Sequence, residues 1–304
     1  MQVIKASFKD FDLFNEAVSD WELHFKLLSK NDFSAYLHMF SSELFLLGRT
    51  KLYGKIEQHG QTPVGFRSIV IPVNYNSEFI WLNKKVSGNE LLIFPKDSVL
   101  DGISFYDFDV YVTSIEEKML FRILKNLGYK NCKTIFDGCE QELLLSKAFS
   151  KSFHQLANKF LNTRILIQQR HNILINNIIH FLLRYIEDSN PSSLSIPQKK
   201  KDVALLKAID LINNQQESLF SIKQICALTG VSERTLQYAF HAKYKVTPSE
   251  YIKAVRLNNV KRELVLSKGK NINISTVAGK YCFWHMGQFA KDFKAQFGIL
   301  PSEV

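Results

Sequence analysis

Ser221-Ile-Lys-Gln-Ile-Cys-Ala-Leu-Thr-Gly230-Val-Ser-Glu-Arg-Thr-Leu-Gln-Tyr-Ala-Phe240 is the stretch whose reading decides the fold of the C-terminal third. Ser221 with Gln224 three residues later spells a capping box, so a helix starts there. Ile222, Ile225, Cys226 and Leu228 supply its apolar stripe, and Gly230 ends it where a left-handed residue costs least. Val231 plugs a turn, and Ser232 is placed to cap a second helix. In that helix Leu236, Ala239, Phe240 and Tyr244 share one face at helical spacing. The opposite face carries Arg234, Gln237, Tyr238 and His241. Arginine pairs with guanine and glutamine with adenine in the major groove. The pattern therefore predicts a helix-turn-helix whose second helix reads base edges.

The plan recurs over Ile274-Ser-Thr-Val-Ala-Gly-Lys-Tyr-Cys-Phe283-Trp-His-Met-Gly-Gln-Phe-Ala-Lys-Asp-Phe-Lys-Ala-Gln-Phe297. Ile274, Val277 and Ala278 line a first helix, Tyr281-Cys282-Phe283 forms the turn, and Phe289, Phe293 and Phe297 form the buried side of a second. Trp284, Gly287, Gln288 and Lys291 lie outward. Superposing Leu236 on Phe289 puts Gly287 where Arg234 sits and Lys291 where Tyr238 sits. The second face is poorer in base-reading side chains and is expected to contact phosphates more than bases. Between the two units, Thr247-Pro-Ser-Glu250 is a capping box with proline at the first helical position. Tyr251, Ile252, Val255, Val260 and Leu264 then run at helical spacing to about Ser267.

These residues resemble the AraC/XylS family of bacterial transcription regulators over about the last hundred positions. The resemblance is carried by Gly230–Phe240, by Thr247-Pro-Ser-Glu-Tyr-Ile252 with Arg256-Leu257, and above all by Phe283-Trp-His-Met-Gly-Gln-Phe-Ala-Lys-Asp-Phe-Lys-Ala-Gln-Phe-Gly-Ile-Leu-Pro-Ser-Glu303. It implies a seven-helix DNA-binding domain with Arg234, Gln237 and Tyr238 facing bases and Lys291 near the DNA. Two positions depart from the family pattern: Cys282 stands where glycine is usual, and Val260 where alanine is. The first bears on the second turn, where glycine usually relieves backbone strain.

The chain's 304 residues suffice for two domains. Its formal charge of +10 is uneven: from Gln198 onward there are 17 Lys+Arg against 8 Asp+Glu, and before it 22 against 21. The basic excess thus coincides with the helix-turn-helix region, which favours phosphate contacts over a merely solvated face. Cys132, Cys139, Cys226 and Cys282 read as reduced thiols of a cytoplasmic protein, and the first two, seven apart, fit no standard zinc spacing. The charged start, Met1-Gln-Val-Ile-Lys-Ala-Ser-Phe-Lys-Asp, has no apolar run, so no secretory leader is expected. No membrane span is expected either; the most apolar stretch, Ile173–Leu183, is interrupted by Asn and His.

Upstream the fold class is α+β. Residues 1–112 read as β-rich, with short runs at 43–47, 52–58, 66–73, 78–82, 90–94 and 107–112 broken by Gly and Pro. A small cupin-like β-barrel is expected there. Residues 113–188 show helical spacing at 115–127, 140–149 and 153–185, read as a helical segment for dimerisation or for covering the barrel. Residues 189–200 have linker composition, and 201–304 form the all-α domain with two helix-turn-helix units. By resemblance the upstream half holds a small effector and dimerises.

Catalysis is disfavoured. His24, His38 and His59 are scattered with no His-x-His, residues 1–200 hold too few cysteines for a repair methyltransferase, and no phosphate-binding loop or Gly-x-Ser-x-Gly is present. No enzyme activity, metal or cofactor is expected. The expected function is sequence-specific binding of double-stranded promoter DNA through Arg234, Gln237, Tyr238, Trp284, Gln288 and Lys291. By resemblance the protein is an activator acting with RNA polymerase. Phe45, Tyr53, Phe66, Tyr75, Trp81, Arg49 and Arg67 read as ordinary core or surface, so no effector residue is assigned. The competing reading is a DNA-binding scaffold whose N-terminal half takes a protein partner instead of a small molecule.

Overall fold

The computed structural model describes residues 2–18, 23–30, 32–75, 77–82, 84–94, 96–137, 141–163, 168–189, 192–193, 200–214, 220–267 and 272–304. By its contacts the chain divides into two compact units. Unit 1 comprises residues 1–24, 34–53 and 59–195. Unit 2 comprises 196–304 together with two pieces of early sequence, 25–33 and 54–58.

In unit 1 an eight-stranded antiparallel sheet runs β1 (Gln2–Phe8), β3 (Ser34–Ser41), β4 (Phe45–Tyr53), β11 (Phe108–Glu116), β6 (Phe66–Pro72), β9 (Glu90–Phe94), β12 (Gln141–Leu144), β13 (Ser192–Ser193). The strands β10 (Val99–Ser104), β7 (Glu78–Trp81) and β8 (Lys84–Ser87) pair side by side in a second sheet. Strand alternation gives the large sheet two faces. One face puts Val70, Leu92, Phe94 and Val110 against Phe79, Trp81 and Val86 of the second sheet, with Trp81 edge-on to Phe94 at 4.8 Å. The other puts Phe40, Phe45, Leu47, Ile69, Ile93 and Ile115 under four helices: α2 (Glu117–Leu127), α3 (Lys130–Asp137), α4 (Lys147–Asn162) and α5 (Gln168–Glu187). A short helix α1 (Phe11–Ala17) follows β1, capped by Asp10.

Three expectations need correction. The sheets do not close into a barrel: β1 lies at one edge of the large sheet and β13 at the other. A second sheet on one face and helices on the other bury both apolar faces, so closure is not needed to hide them. Strand structure also continues past residue 112, since β11 runs to Glu116. Finally, residues 141–144 form strand β12, not helix, paired with β9. The buried faces of α4 and α5 are spent on the unit's own core, with Phe153, Phe160, Ile178 and Leu182 all buried. The linker stretch 189–200 and Cys139 fall almost wholly outside the described residues.

Unit 2 holds helices α6 (Lys200–Asn214), α7 (Ile222–Thr229), α8 (Glu233–Tyr244), α9 (Pro248–Leu266), α10 (Ile274–Lys280) and α11 (Met286–Phe297), then a single 3-10 turn at Pro301–Glu303. Thr247 and Glu250 make the capping box that opens α9, with bonds of 2.8 and 3.3 Å. α9 is the spine: Leu257 and Val260 share a core with Val277, Ala278, Phe283, Phe289 and Phe293 of the second helix pair. At its other end Tyr251 packs on Phe240 and Tyr244 of the first pair. Beside these helices lie β2 (His24–Leu27) and the start of β5 (Ile56–Gln61), neighbours joined by the Leu28 N–H to the Lys55 carbonyl at 2.8 Å.

Candidate nucleic-acid interface

The first helix pair is built as its sequence dictates. Ser221 and Gln224 exchange both capping bonds, at 3.3 and 2.8 Å. Gly230 closes α7 at φ 70°, and its N–H bonds to the Cys226 carbonyl at 2.9 Å. A Cβ there would meet nothing within 4 Å, so the demand for glycine is conformational and not steric. The Ser232 hydroxyl accepts from Thr235 N–H at 3.2 Å and starts α8.

The four residues predicted to be apolar-facing on α8, Leu236, Ala239, Phe240 and Tyr244, are buried. Arg234, Gln237, Tyr238 and His241 are exposed. The Arg234 guanidinium lies 5.5 Å from the Tyr238 ring centre and donates to its hydroxyl at 3.3 Å. Gln237 donates to Glu233 at 3.3 Å. Bonds between exposed side chains one helical turn apart are weak, about 0.2–0.5 kcal/mol each, so these groups exchange partners readily. The result is a solvated row of guanidinium, amide and phenol on one helix face, the chemistry that reads base edges.

The second pair is held differently. Asn273 caps α10 by accepting from Ser275 N–H at 2.9 Å. Cys282 sits in the turn at φ 60°, the conformation that favours glycine. Arg256, from the middle of α9, clamps this turn: it donates to the Tyr281 carbonyl at 2.6 Å and to the Cys282 carbonyl, with its guanidinium 4.2 Å over the Phe283 ring. This role escaped the sequence reading, where Arg256 counted only toward a resemblance. Trp284 is 73% exposed, and Gln288 and Lys291 are exposed on the outer side of α11. Gln288 donates to Asp292 at 3.1 Å, and Asp292 also pairs with Lys253 at 3.1 Å. A tryptophan left this open on a turn offers a stacking or wedging surface beside the helix.

The six predicted residues therefore fall into two groups, one on the outer side of α8 and one on the outer side of α11 and the turn before it. The helices carrying them are joined through α9.

Sequence reasoning missed a set of buried and half-buried polar residues behind these helices. Glu57, of β5, accepts from the Tyr244 hydroxyl at 3.1 Å and from the Tyr251 hydroxyl at 2.9 Å. Burial, and then the Glu57 carboxylate, pushes the Tyr251 phenol well above its ordinary value of 10. Asn258 and Gln296 both bond the main chain of Leu27. Nothing local marks these residues; only a carboxylate within a predicted strand hinted at Glu57.

Sequence comparison with known proteins matches about a third of the chain or less. A family described as "Helix-turn-helix domain" matches residues 225–304. The chain is 28% identical over 96 residues to the probable thc operon regulatory protein of Rhodococcus erythropolis, a match covering 32% of this chain and 29% of that protein. It is 31% identical over 99 residues to XylDLEGF operon transcriptional activator 2 of Pseudomonas putida, covering 32% of this chain and 62% of that one. The matched stretch thus spans under a third of the first of these relatives. Among solved structures, the AraC-like transcriptional activator CuxR aligns over 91% of this chain and 100% of its own, at 12% identity and a TM-score of 0.45.

Proposed function

We propose that this chain, of the AraC/XylS type over its C-terminal third, is a sequence-specific DNA-binding transcription regulator with two helix-turn-helix units. The observation that carries the reading is the exposed face of α8. Arg234, Gln237 and Tyr238 lie together there on a helix capped at both ends and packed on its other side. In this reading α8 enters one major-groove segment and supplies base contacts. α11 enters a neighbouring segment, where Lys291 contacts phosphate while Trp284 and Gln288 flank it. The excess of 17 Lys+Arg over 8 Asp+Glu from Gln198 onward supplies the electrostatic part of affinity.

Residues 201–304 are then the DNA-binding domain, and 1–188 the part that receives a signal. By resemblance that signal is a small effector, the protein activates, and it works as a dimer beside RNA polymerase in the cytoplasm. Unit 1 supports a receiving role in having a complete core of its own. Among the described residues no helix is long and apolar enough to cross a membrane, and no group of three His, Cys, Asp or Glu is placed to hold a metal ion.

The test is selection of bound fragments from sheared genomic DNA by the full-length protein at physiological salt. Enrichment of a short common motif, weakened and relaxed at one position in Arg234→Ala, is the expected result. Binding to all fragments alike would overturn the reading.

A further inference from the structure

The early segments 25–33 and 54–58 belong to unit 2, and polar bonds anchor them to its helices. Leu27 donates its N–H to Asn258 Oδ1 at 3.1 Å. Its carbonyl accepts from Asn258 Nδ2 at 2.9 Å and from Gln296 Nε2 at 2.6 Å. Asn258 is on α9 and Gln296 on α11, where it is only 4% exposed. Glu57, 5% exposed, takes the hydroxyls of Tyr244, the last residue of α8, and of Tyr251, on α9, with Lys26 Nζ 3.3 Å from its second oxygen. Lys55 Nζ donates to the carbonyl of Lys245, the residue that caps α8. The strand pair is locked close behind them. Lys55 N–H bonds Ser29 Oγ at 3.1 Å, and a Cβ on Gly54 would come within 2.7 Å of the Asp32 carbonyl oxygen.

The pair β2 and β5 thus grips the end of the first reading helix, the spine helix and the second reading helix at once. Apolar packing along α9 is non-directional, whereas these buried bonds fix distance and angle. We propose that the Leu27 main chain and the Glu57 carboxylate are the positioning groups that set the separation and relative angle of α8 and α11. They therefore set the spacing between the two DNA segments that one chain accepts. This rests on the reading of α8 and α11 as the two DNA-contacting helices.

The test uses the full-length chain and the duplex it enriches most strongly, with the two protected segments located by footprinting. Duplexes with one or two base pairs added or removed between the segments are then bound by wild type, Gln296→Met, Asn258→Leu, Glu57→Leu and Glu57→Gln. Wild type is expected to favour one spacing. Each lost buried bond corresponds to about a three- to tenfold fall in that preference. Affinity for a duplex holding only the α8 segment should stay unchanged. Glu57→Gln, which keeps one acceptor oxygen, should retain more of the preference than Glu57→Leu. Gln296→Met, nearly equal in volume at a helix end, decides the matter if the other variants do not fold. Folded Gln296→Met protein with the wild-type spacing preference overturns the positioning role and leaves DNA binding standing. Wild type that enriches no fragment overturns both.

Discussion

Cys282 holds a turn in a conformation that its side chain disfavours. Left-handed backbone costs a residue with a Cβ about 1–2 kcal/mol, and glycine gives back part of that in unfolded-chain entropy. Cys282→Gly should therefore stabilise unit 2 by about 0.5–1 kcal/mol, read as a rise in its denaturation midpoint. An unchanged or lower midpoint would show that Arg256, not the turn's own conformation, sets the energy there. Under the proposed function, α8 and α11 ask different things of single residues. Arg234→Ala should relax base preference at one position, each good base contact being worth about 1–3 kcal/mol. Lys291→Ala should weaken all sequences alike and lower the salt slope by about one. A changed sequence preference in the lysine variant, or unchanged discrimination at every base in the arginine variant, would contradict the roles assigned. The outward placement of these side chains was legible because a helix face repeats every three to four residues. Glu57, Asn258 and Gln296 were not, because their partners lie far off in sequence and no local pattern records them.

At the scale of elements, caps decided what the sequence could announce. Ser221 with Gln224, Gly230, Ser232 and Thr247 with Glu250 each sit where the helix ends lie, so α7, α8 and α9 were readable almost to the residue. Thr247→Ala removes the hydroxyl's bonds to Glu250 while keeping the backbone N–H that donates to its carboxylate, and should cost about 1 kcal/mol. The Glu250 carboxyl adds a pH signature: bonds from the Thr247 backbone and then its side chain hold it below the ordinary carboxylate value. Its contribution is therefore complete above the unfolded value and lost as pH falls through the folded one. The alanine variant should lose less stability than wild type on acidification, and equal losses in urea titrations would count against this. β12 shows the converse. Leu143 and Leu145 are buried while Leu144 is 69% exposed, an alternation of period two. Over so few residues it could not outweigh the helical spacing on its flank. The barrel failed for another reason: spacing marks short strands, but it records neither all of them, since β1, β2, β3, β8 and β10 lie outside the six runs, nor which strand ends at an edge.

Across the whole molecule, sequence order and structural unit part company. The charge asymmetry and the helix pattern both pointed to a boundary near residue 200, yet unit 2 also takes in 25–33 and 54–58. Short strands carry no mark of which core they join. The units should also answer acid separately. In unit 1, burial and then Lys5 hold His38 below its ordinary 6.5. Burial and then Arg49 do the same for His154, against a smaller pull from Asp109. The Tyr111 hydroxyl donates to Asn158 Oδ1, which leaves His154 Nδ1 to donate to it at 3.1 Å and Nε2 to accept from Asn158 Nδ2 at 2.8 Å, so protonating Nε2 disturbs the bond to Asn158 within α4. A histidine depressed on folding binds fewer protons folded than unfolded. Its contribution is whole above 6.5 and is lost as pH falls toward the folded value. The carboxylates lowered in unit 2, Glu250 and Glu263, lose their contribution only below about 4.5. Between pH 7 and 5, hydrogen exchange should therefore quicken in β3, β4 and α4 relative to α8 and α9, after correction for the intrinsic rate. Substituting His38 and His154 together with glutamine should flatten that difference. Equal loss of protection in both units, or a pH response that survives the double substitution, would place the acid-sensitive groups elsewhere.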